Sequence, residues 1–531
     1  MITAAAHWAI RYAGIVSSLR SLPGPLTSSW LYGNIQTTNS EDLSAPQERW
    51  AAEYGPNIAY RDYLGHMRLW TDDVRALTHI ITHSAEFRKP KTSVKNLAKF
   101  IGKGLVCVEG EQHRKQRRIM NPAFALSHIR ELTEIFVQKA QELRDIWDER
   151  IAQYGSESVR IEVLEDLTKT ALDVIGLAGF NYRFDSLKPN GESSKLNEAF
   201  QEIFQAPENV TTFAILQIIF PVLEIIPNAW TRRVKRARAV MHDIGLELVA
   251  EKKAAIRREL AESKENAELG RNDMRNRDLL TLLLKANMAS DIPDSQRLSD
   301  DDVLAQIPTF LVAGHETTSV ATTWCLFALT QAPEVQRKLR DELLTLGAEA
   351  PTMDELNSLP YLDAVVRETL RVYPPVPMSY RTAAKDGIIP VSEPFTDRDG
   401  QVQDSIKISQ GDGIDIPIIS LNRSKKLWGE DALEFRPERW DNPPEAITGI
   451  PGVWSNLLTF FGGPHACIGY RFSLVQIKVL IFMLVRAFEF ELAVPVEDVQ
   501  KRWGVVQRPL IRGAPGQSSQ LPLFVKRYVG E

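Results

Sequence analysis

A mainly α-helical protein with small β-sheets is what the 531-residue sequence predicts, on three observations. Long stretches carry apolar residues at helical spacing. Alternating, β-branched text is confined to 386–420 and 504–527. No internal repeat or low-complexity tract interrupts the chain. Composition agrees with a packed core: 44% of residues are hydrophobic and 25% charged. A formal net charge of -5 leaves no basic footprint, so nucleic acid is not an expected partner. Cys107, Cys325 and Cys467 are odd in number and widely spaced. That is neither a disulfide framework nor zinc-ligand spacing, and it points to a reducing compartment.

Taken in order, residues 1–22 are mostly apolar but broken by Arg11 and Arg20. A spanning helix needs about 20 consecutive apolar residues, and a mid-span arginine is costly. This segment therefore reads equally as a membrane anchor or interfacial helix and as a plain surface helix. Pro23, Gly24 and Pro25 form a stiff break, so the expected boundaries are a 1–22 segment and one large domain over 23–531. Ile129, Leu132, Ile135, Phe136 and Ala140 share one face of a helix over 127–150. Residues 231–264 are helical in composition, 265–278 polar enough for a surface loop, and 278–288 helical again. One long helix is predicted from 299 to about 331; Asp300, Asp301 and Asp302 suit the positive end of its dipole. Another runs over 353–373, stopped by Pro374 and Pro375. Strands are expected at 386–396, 405–411 and 412–420, and again within 504–527.

Four stretches carry chemistry. In TFFGGPHACIGYRF (459–472), Gly469 and an apolar helical run follow Cys467. The thiol is thus predicted at a helix N-terminus, where N–H groups favour a thiolate. Gly462 and Gly463 remove bulk where backbone passes close to a flat group, and Phe460 and Phe461 supply apolar shielding. An isolated cysteine is ordinarily a small core residue; this frame instead suits a sheltered metal-ligating thiolate. In YLDAVVRETLRVY (361–373), Glu368 and Arg371 share a helical face, and FRPERW (435–440) follows. Seen alone, such a pair reads as a solvated ion pair. In AGHETT (313–318), Gly314, Thr317 and Thr318 predict a helix that loosens and bends, with Glu316 beside the Thr317 hydroxyl. Finally, GEQHRKQRR (110–118) holds His113 and Arg117, and Arg381 lies ten residues beyond Arg371.

Phe460, Gly463, Cys467 and Gly469 match F-x-x-G-x-R-x-C-x-G everywhere except the arginine, which is His465. With A/G-G-x-D/E-T-T/S at 313–318, E-x-x-R at 368–371 and FRPERW after it, the chain resembles the cytochrome P450 family from about residue 23 onward. The resemblance implies the cytochrome P450 fold: a single large domain, mainly α with small β-sheets, holding haem b between two helices. It implies Cys467 as iron ligand and Glu316 and Thr317 as the catalytic proton-delivery pair. Phe460, His465 and Gly469 would frame the haem, with His113, Arg117 and Arg381 reaching its propionates. Glu368, Arg371 and Arg439 would form a structural cluster. His113 stands where the family has tryptophan, and His465, as a neutral imidazole, offers one hydrogen bond without fixed charge. His315 is expected to point aside rather than to ligate.

The activity implied is that of a haem-thiolate monooxygenase placing one oxygen atom of O2 into a lipophilic small organic substrate, by hydroxylation or epoxidation. The pocket would be lined by parts of 95–110 and 205–216, by Phe310 and Ala313, and by Val376–Tyr380. The stretch after Cys467 leaves no room for a flavin domain, so the expected electron donor is a separate NADPH-cytochrome P450 reductase, with cytochrome b5 a further candidate. Lys425 and Lys426 are candidate docking contacts. The apolar FAILQIIFPVLEIIP (213–227), followed by basic TRRVKRAR, reads as an interfacial membrane contact. The place expected is the cytoplasmic face of the endoplasmic reticulum. The sequence style resembles fungal microsomal members, which points to secondary metabolism or detoxification. The alternatives are a haem-thiolate isomerase or dehydratase acting on a peroxide, and a non-catalytic haem sensor. The Glu316–Thr317 pair argues against both.

Overall fold

The structure is a computed structural model that describes residues 17–188, 229–262 and 278–530, apart from 28, 30, 41–43, 156, 290–291, 503 and 515–518. The apolar run 213–227, the pocket segment 205–216, most of the 1–22 segment and nearly all of the loop at 265–278 lie outside the described residues.

The helices that position the site are α1 (Val74–Thr82), α2 (Gly110–Met120), α3 (Leu126–Tyr154), α4 (Val163–Phe180), α5 (Ala229–Glu262), α6 (Leu279–Met288), α7 (Gln306–Gln331), α8 (Pro360–Val372) and α9 (Tyr470–Ala487). Local sequence explains their bounds. Asp73 caps α1 by accepting the Ala76 N–H at 2.9 Å, and Asp278 caps α6 by accepting the Thr281 N–H at 3.0 Å. On α3 the predicted stripe is buried at Ile129, Leu132, Phe136 and Ala140 and half-buried at Ile135.

Proline corrects three expected elements. The helix expected over 299–331 is a short Asp300–Leu304 turn, closed by a Ser299–Asp302 capping box, followed by α7 after a break at Ala305. Pro308 has no N–H, and its ring excludes the carbonyl of Leu304, four residues back. The helix expected over 353–373 is likewise Met353–Asn357 followed by α8. Pro360 drives Leu359 into an extended conformation, φ -96°, ψ 95°. The strand expected over 412–420 spans only Gly413–Ile416; Pro417 ends it, and Ile418–Asn422 is helical.

The chain groups into two compact units. The first takes 1–91, 140–168 and 316–531, and holds the strands. Its five-stranded sheet runs Asn57–Arg61, Met67–Thr71, Gly413–Ile416, Ser379–Ala383, Phe87–Arg88. All its neighbours are antiparallel except Met67–Thr71 beside Gly413–Ile416, where Leu69 faces Ile414. Leu69, Ile80, Ile81, Ile414, Leu457 and Leu458 belong to one buried cluster. That cluster joins the sheet and α1 to the segment just before Phe460. A second sheet pairs Ser158–Glu162 and Phe488–Leu492 on either side of Pro522–Arg527. The second unit takes 92–139 and 169–315 and is helical. In it Phe310 meets Phe124 edge-on at 5.6 Å and stacks with Phe180 at 6.4 Å.

One buried acid ties the second sheet together. Glu162 Oε1 accepts the N–H groups of Leu164 and Leu521 at 3.2 and 2.7 Å, while Oε2 is buried without a partner. Burial pushes its carboxyl up to about 7 from 4.5. The folded state therefore keeps a proton that the unfolded chain releases, so this group's contribution to stability falls as pH rises between about 4.5 and 7. Glu162→Gln keeps an acceptor for both N–H groups and removes the titration. Its denaturation midpoint should decline less steeply than wild type across that window. Parallel declines would overturn the assignment.

Candidate active site

The innermost part of the site is a charge cluster with no exposure to water. Glu368 and Arg371, one turn apart on α8, are both 0% exposed. Arg371 spends all five donors: Nε and Nη2 on Glu368 Oε2 and Oε1, each at 2.8 Å, Nη1 on the carbonyls of Asn422 and Ala432, and Nη2 on that of Glu434. Arg439 completes the cluster, with Nε 3.4 Å from Glu368 Oε1 and Nη1 2.7 Å from Asp431 Oδ1. The bond from Arg439 holds the Asp431 carboxyl below its ordinary range. Arg436 contributes its backbone N–H to Glu368 at 2.9 Å, while its side chain pairs with Asp431. Glu368 also accepts the Trp440 indole N–H at 3.1 Å. The three side chains grouped from the sequence thus lie together, and with them Asp431 and Trp440, which no spacing rule ties to α8.

From this cluster a chain of hydrogen bonds reaches the cysteine loop. Asn422, whose carbonyl takes Arg371, donates its amide to Thr459 Oγ1 at 2.8 Å and accepts the Leu458 N–H at 3.3 Å. Thr459 donates in turn to the carbonyl of Leu370 on α8 at 2.7 Å. One residue on, the Phe460 carbonyl accepts the Cys467 N–H at 2.8 Å, closing the loop that holds Gly463, His465 and Ala466. Gly462 is required, since a Cβ there would lie 1.7 Å from the Pro451 carbonyl oxygen. Phe461 has φ 58°, ψ -171°, a region costly for any residue but glycine. It is held by a 2.8 Å bond from its N–H to the Leu458 carbonyl and a 3.0 Å bond from the Val453 N–H to its own. The Arg381 guanidinium lies 4.7 Å from its ring. Arg381 is itself buried, donating to Ser379 Oγ at 2.9 Å and the Tyr380 carbonyl at 2.7 Å.

Cys107 and Cys325 are buried and Cys467 is exposed. Burial pushes the Cys325 thiol up to about 12. The expected place of Cys467 at a helix N-terminus is corrected by two residues: Gly469 is the N-cap and α9 begins at Tyr470. Beside the loop, Phe460 is buried edge-on to Trp454 at 5.6 Å.

On α7 the helix stays intact through AGHETT, so the expected loosening is not found. The glycine answers to packing instead, because a Cβ on Gly314 would sit 3.0 Å from two side-chain atoms of Ile175. His315 is buried with Nδ1 2.8 Å from the Leu311 carbonyl, turned back along its own helix as expected. Thr318 is buried, and its Oγ1 lies 3.5 Å from Ser473 Oγ in the first turn of α9. That approach brings the Glu316–Thr317 stretch to the helix that follows Cys467. Glu316 Oε1 receives Nε and Nη2 of Arg508 at 3.0 and 2.8 Å. No motif signals this arginine, a lone charge in the strand Arg508–Ile511. In the second unit, His113 is buried and Arg117 half-buried, one turn apart on α2. The expected docking lysines sit in exposed ion pairs, Lys425 with Glu430 and Lys426 with Glu393.

Among the described residues no three His, Cys, Asp or Glu side chains gather to hold a metal ion. A metal at Cys467 would therefore have one protein thiolate and draw its remaining ligands from elsewhere, which fits a haem iron, whose ring supplies four. A haem-thiolate centre is the class of site that such a lone thiolate suits. The sequence model described as Cytochrome P450 matches residues 23–511, and the chain belongs to that family. Two relatives come from Postia placenta. Cytochrome P450 monooxygenase 205 is 56% identical over 513 residues, covering 96% of this chain and 93% of its own. Cytochrome P450 monooxygenase 128 is 53% identical, covering 97% and 93%. Cytochrome P450 monooxygenase claQ of Ampulloclitocybe clavipes is 35% identical, covering 95% and 93%. The protein is accordingly an oxidoreductase of the monooxygenase class. No helix among the described residues is long and apolar enough to cross a membrane.

A lysine at position 371 offers three donors where five are used. Arg371→Lys should leave buried carbonyls among Asn422, Ala432 and Glu434 without partners and cost about 3–5 kcal/mol, as for a broken buried ion pair. Chemical denaturation measures it. A loss under about 1 kcal/mol, the size of a surface pair, would overturn this reading.

Proposed function

We propose that the chain places one oxygen atom of O2 into a lipophilic small organic molecule, by hydroxylation or epoxidation, using haem b held through Cys467. The observation that carries this reading is the exposed Cys467 thiol on a loop locked to the buried Glu368–Arg371 pair, with the Glu316–Thr317 stretch brought to α9 at Ser473. When bound, the haem supplies the redox chemistry that activates O2. Everything else falls to the side chains. Cys467 provides the thiolate, and Phe460, Ala466 and Trp454 keep apolar surface around it. Thr317 donates a hydroxyl proton to the reacting oxygen, and Glu316 restores that proton from solvent. Arg381 and His465 would hold carboxylates of the cofactor through N–H donors, the role the family resemblance also implies for His113 and Arg117 on α2.

The substrate class rests on composition: Val376, Pro377 and Met378, in a sequence segment expected at the pocket, are apolar, and Met378 is buried. Electrons come from a separate NADPH-dependent reductase, with cytochrome b5 as a second donor, at the cytoplasmic face of the endoplasmic reticulum. The resemblance of the sequence to fungal microsomal members is the ground for placing the reaction in secondary metabolism or detoxification.

The reduced protein under carbon monoxide should show the strongly red-shifted Soret band of a thiolate ligand, and Cys467→Ala should lose it. A retained band would mean that another residue is the ligand. With reductase and NADPH, Thr317→Ala should raise hydrogen peroxide release while product or water formation drops by about 10²-fold, the low end for a positioned proton donor. Unchanged partition would remove Thr317 from proton delivery.

A further inference from the structure

The least explained group near the proposed chemistry is Arg508. Its Nε and Nη2 both address Glu316 Oε1, at 3.0 and 2.8 Å. The side chains are partly shielded, 32% exposed for the arginine and 14% for the glutamate, so the pair is neither a fully solvated surface contact nor a sealed structural one. The arginine does not reach Glu316 by chance of a flexible loop. The residue before it is pinned twice through its backbone: the Gln507 N–H donates to the Pro375 carbonyl at 2.8 Å, and the Gln507 carbonyl accepts the Trp324 indole N–H at 2.8 Å. Trp324 sits on α7 two turns beyond Glu316 and stacks on Tyr373 at 5.1 Å with an interplanar angle of 4°. Arg508 then enters a strand, Arg508–Ile511, paired with Val499–Arg502. The same helix thus carries the glutamate and anchors the strand that delivers the guanidinium.

We propose that Arg508 is the positioning residue of the proton-delivery acid. One Nε–H hydrogen bond, with Nη2 close by on the same oxygen, holds the carboxylate and occupies Oε1. Oε2 is left as the oxygen that takes a proton from solvent and passes it toward the Thr317 hydroxyl. The transfer is proton movement only: an O–H bond forms at Oε2 and breaks there as the proton moves on, and Oε1 stays held throughout. Nothing in this role requires Arg508 to touch substrate or cofactor. The inference rests on the reading of Glu316 as the proton relay.

The test uses the haem-loaded full chain with a recombinant fungal NADPH-cytochrome P450 reductase and no added substrate. The readouts are the ratio of water to hydrogen peroxide formed from O2 and the solvent deuterium isotope effect on NADPH oxidation. The carbon monoxide spectrum serves as the check that the thiolate site is intact. Arg508→Gln should lower the ratio about tenfold and raise the isotope effect, a part of what a positioned proton donor is worth. In a Glu316→Gln background the same change should add nothing. If Glu316→Gln shifts the ratio while Arg508→Gln does not, or if the two effects multiply, the positioning role is wrong and the relay stands. If Glu316→Gln leaves the ratio unchanged, the relay itself falls and this inference with it. Arg508→Lys keeps one charged donor on the same strand and should recover most of the ratio. Failure to recover, with the carbon monoxide band intact, would overturn the charge-held orientation and covers the case in which Arg508→Gln does not fold.

Discussion

The bond pair between Arg371 and Glu368 is where the fold meets the chemistry. Taking two ions out of water is costly, and the attraction between them offsets that only when the remaining donors and acceptors are also filled. Here they are: five guanidinium donors find acceptors, and Glu368 also takes Arg436, Arg439 and Trp440. Three of those donors end on the carbonyls of Asn422, Ala432 and Glu434, far from α8 in sequence. The pair therefore works less as a source of stability than as a fixed set of addresses. Only one arrangement of the 422–440 segment satisfies it, and Asn422 passes that arrangement to Leu458 and Thr459, just before the cysteine loop.

A second constraint acts along α7. Its interior is unusually polar for a buried helix, with Thr318, Ser319, Thr322 and Thr323 all fully enclosed. Those hydroxyls do not ask the helix to open. Thr322 and Thr323 donate to the carbonyls one turn back at 2.9 and 2.8 Å, satisfying themselves within the helix. Thr318 looks outward, to Ser473, and Ser319 accepts the Thr168 hydroxyl of α4 at 3.3 Å. Polar side chains thus line the helix without leaving orphaned groups, and Glu316 takes its partner from a separate strand.

How much of this was legible follows from which rules are local. Amphipathic stripes, the acidic helix start at Asp300, Asp301 and Asp302, and the sheets near 390 and 410 rest on neighbours in sequence, and they stand in the structure. The helix breaks at Ala305 and at Ser358 and Leu359 were equally local, and were lost by following the hydrophobic period past Pro308 and Pro360. The charge cluster was readable because E-x-x-R fixes two members on one helix and a family pattern points to the third. Asp431, Asn422, Thr459 and Arg508 were not, since each is joined to its partner only by tertiary contact. The reading of Gly314 as a loosening point failed for the same reason. Its small size answers to Ile175 on α4, a contact no pattern within AGHETT encodes.

The loop around Cys467 shows why a lone cysteine can carry a site at all. A thiol deep in the core is inert, as Cys325 illustrates, because burial opposes the charged form. A thiol on an ordinary surface turn would be reactive but badly aimed. Cys467 instead sits on backbone held at several points: its N–H is bonded to the Phe460 carbonyl, Gly462 is pressed against Pro451, and Phe461 is kept in a conformation that glycine would adopt more cheaply. Strain of that kind persists only when surrounding contacts over-determine it. The Leu458 and Val453 bonds, and the Arg381 guanidinium over the Phe461 ring, are the contacts that do so. Remove the buried pair on α8 and the bonds through Asn422 and Thr459 lose their reference. The strained residue would then be the first place for the loop to relax, and the aim of the thiol would go with it.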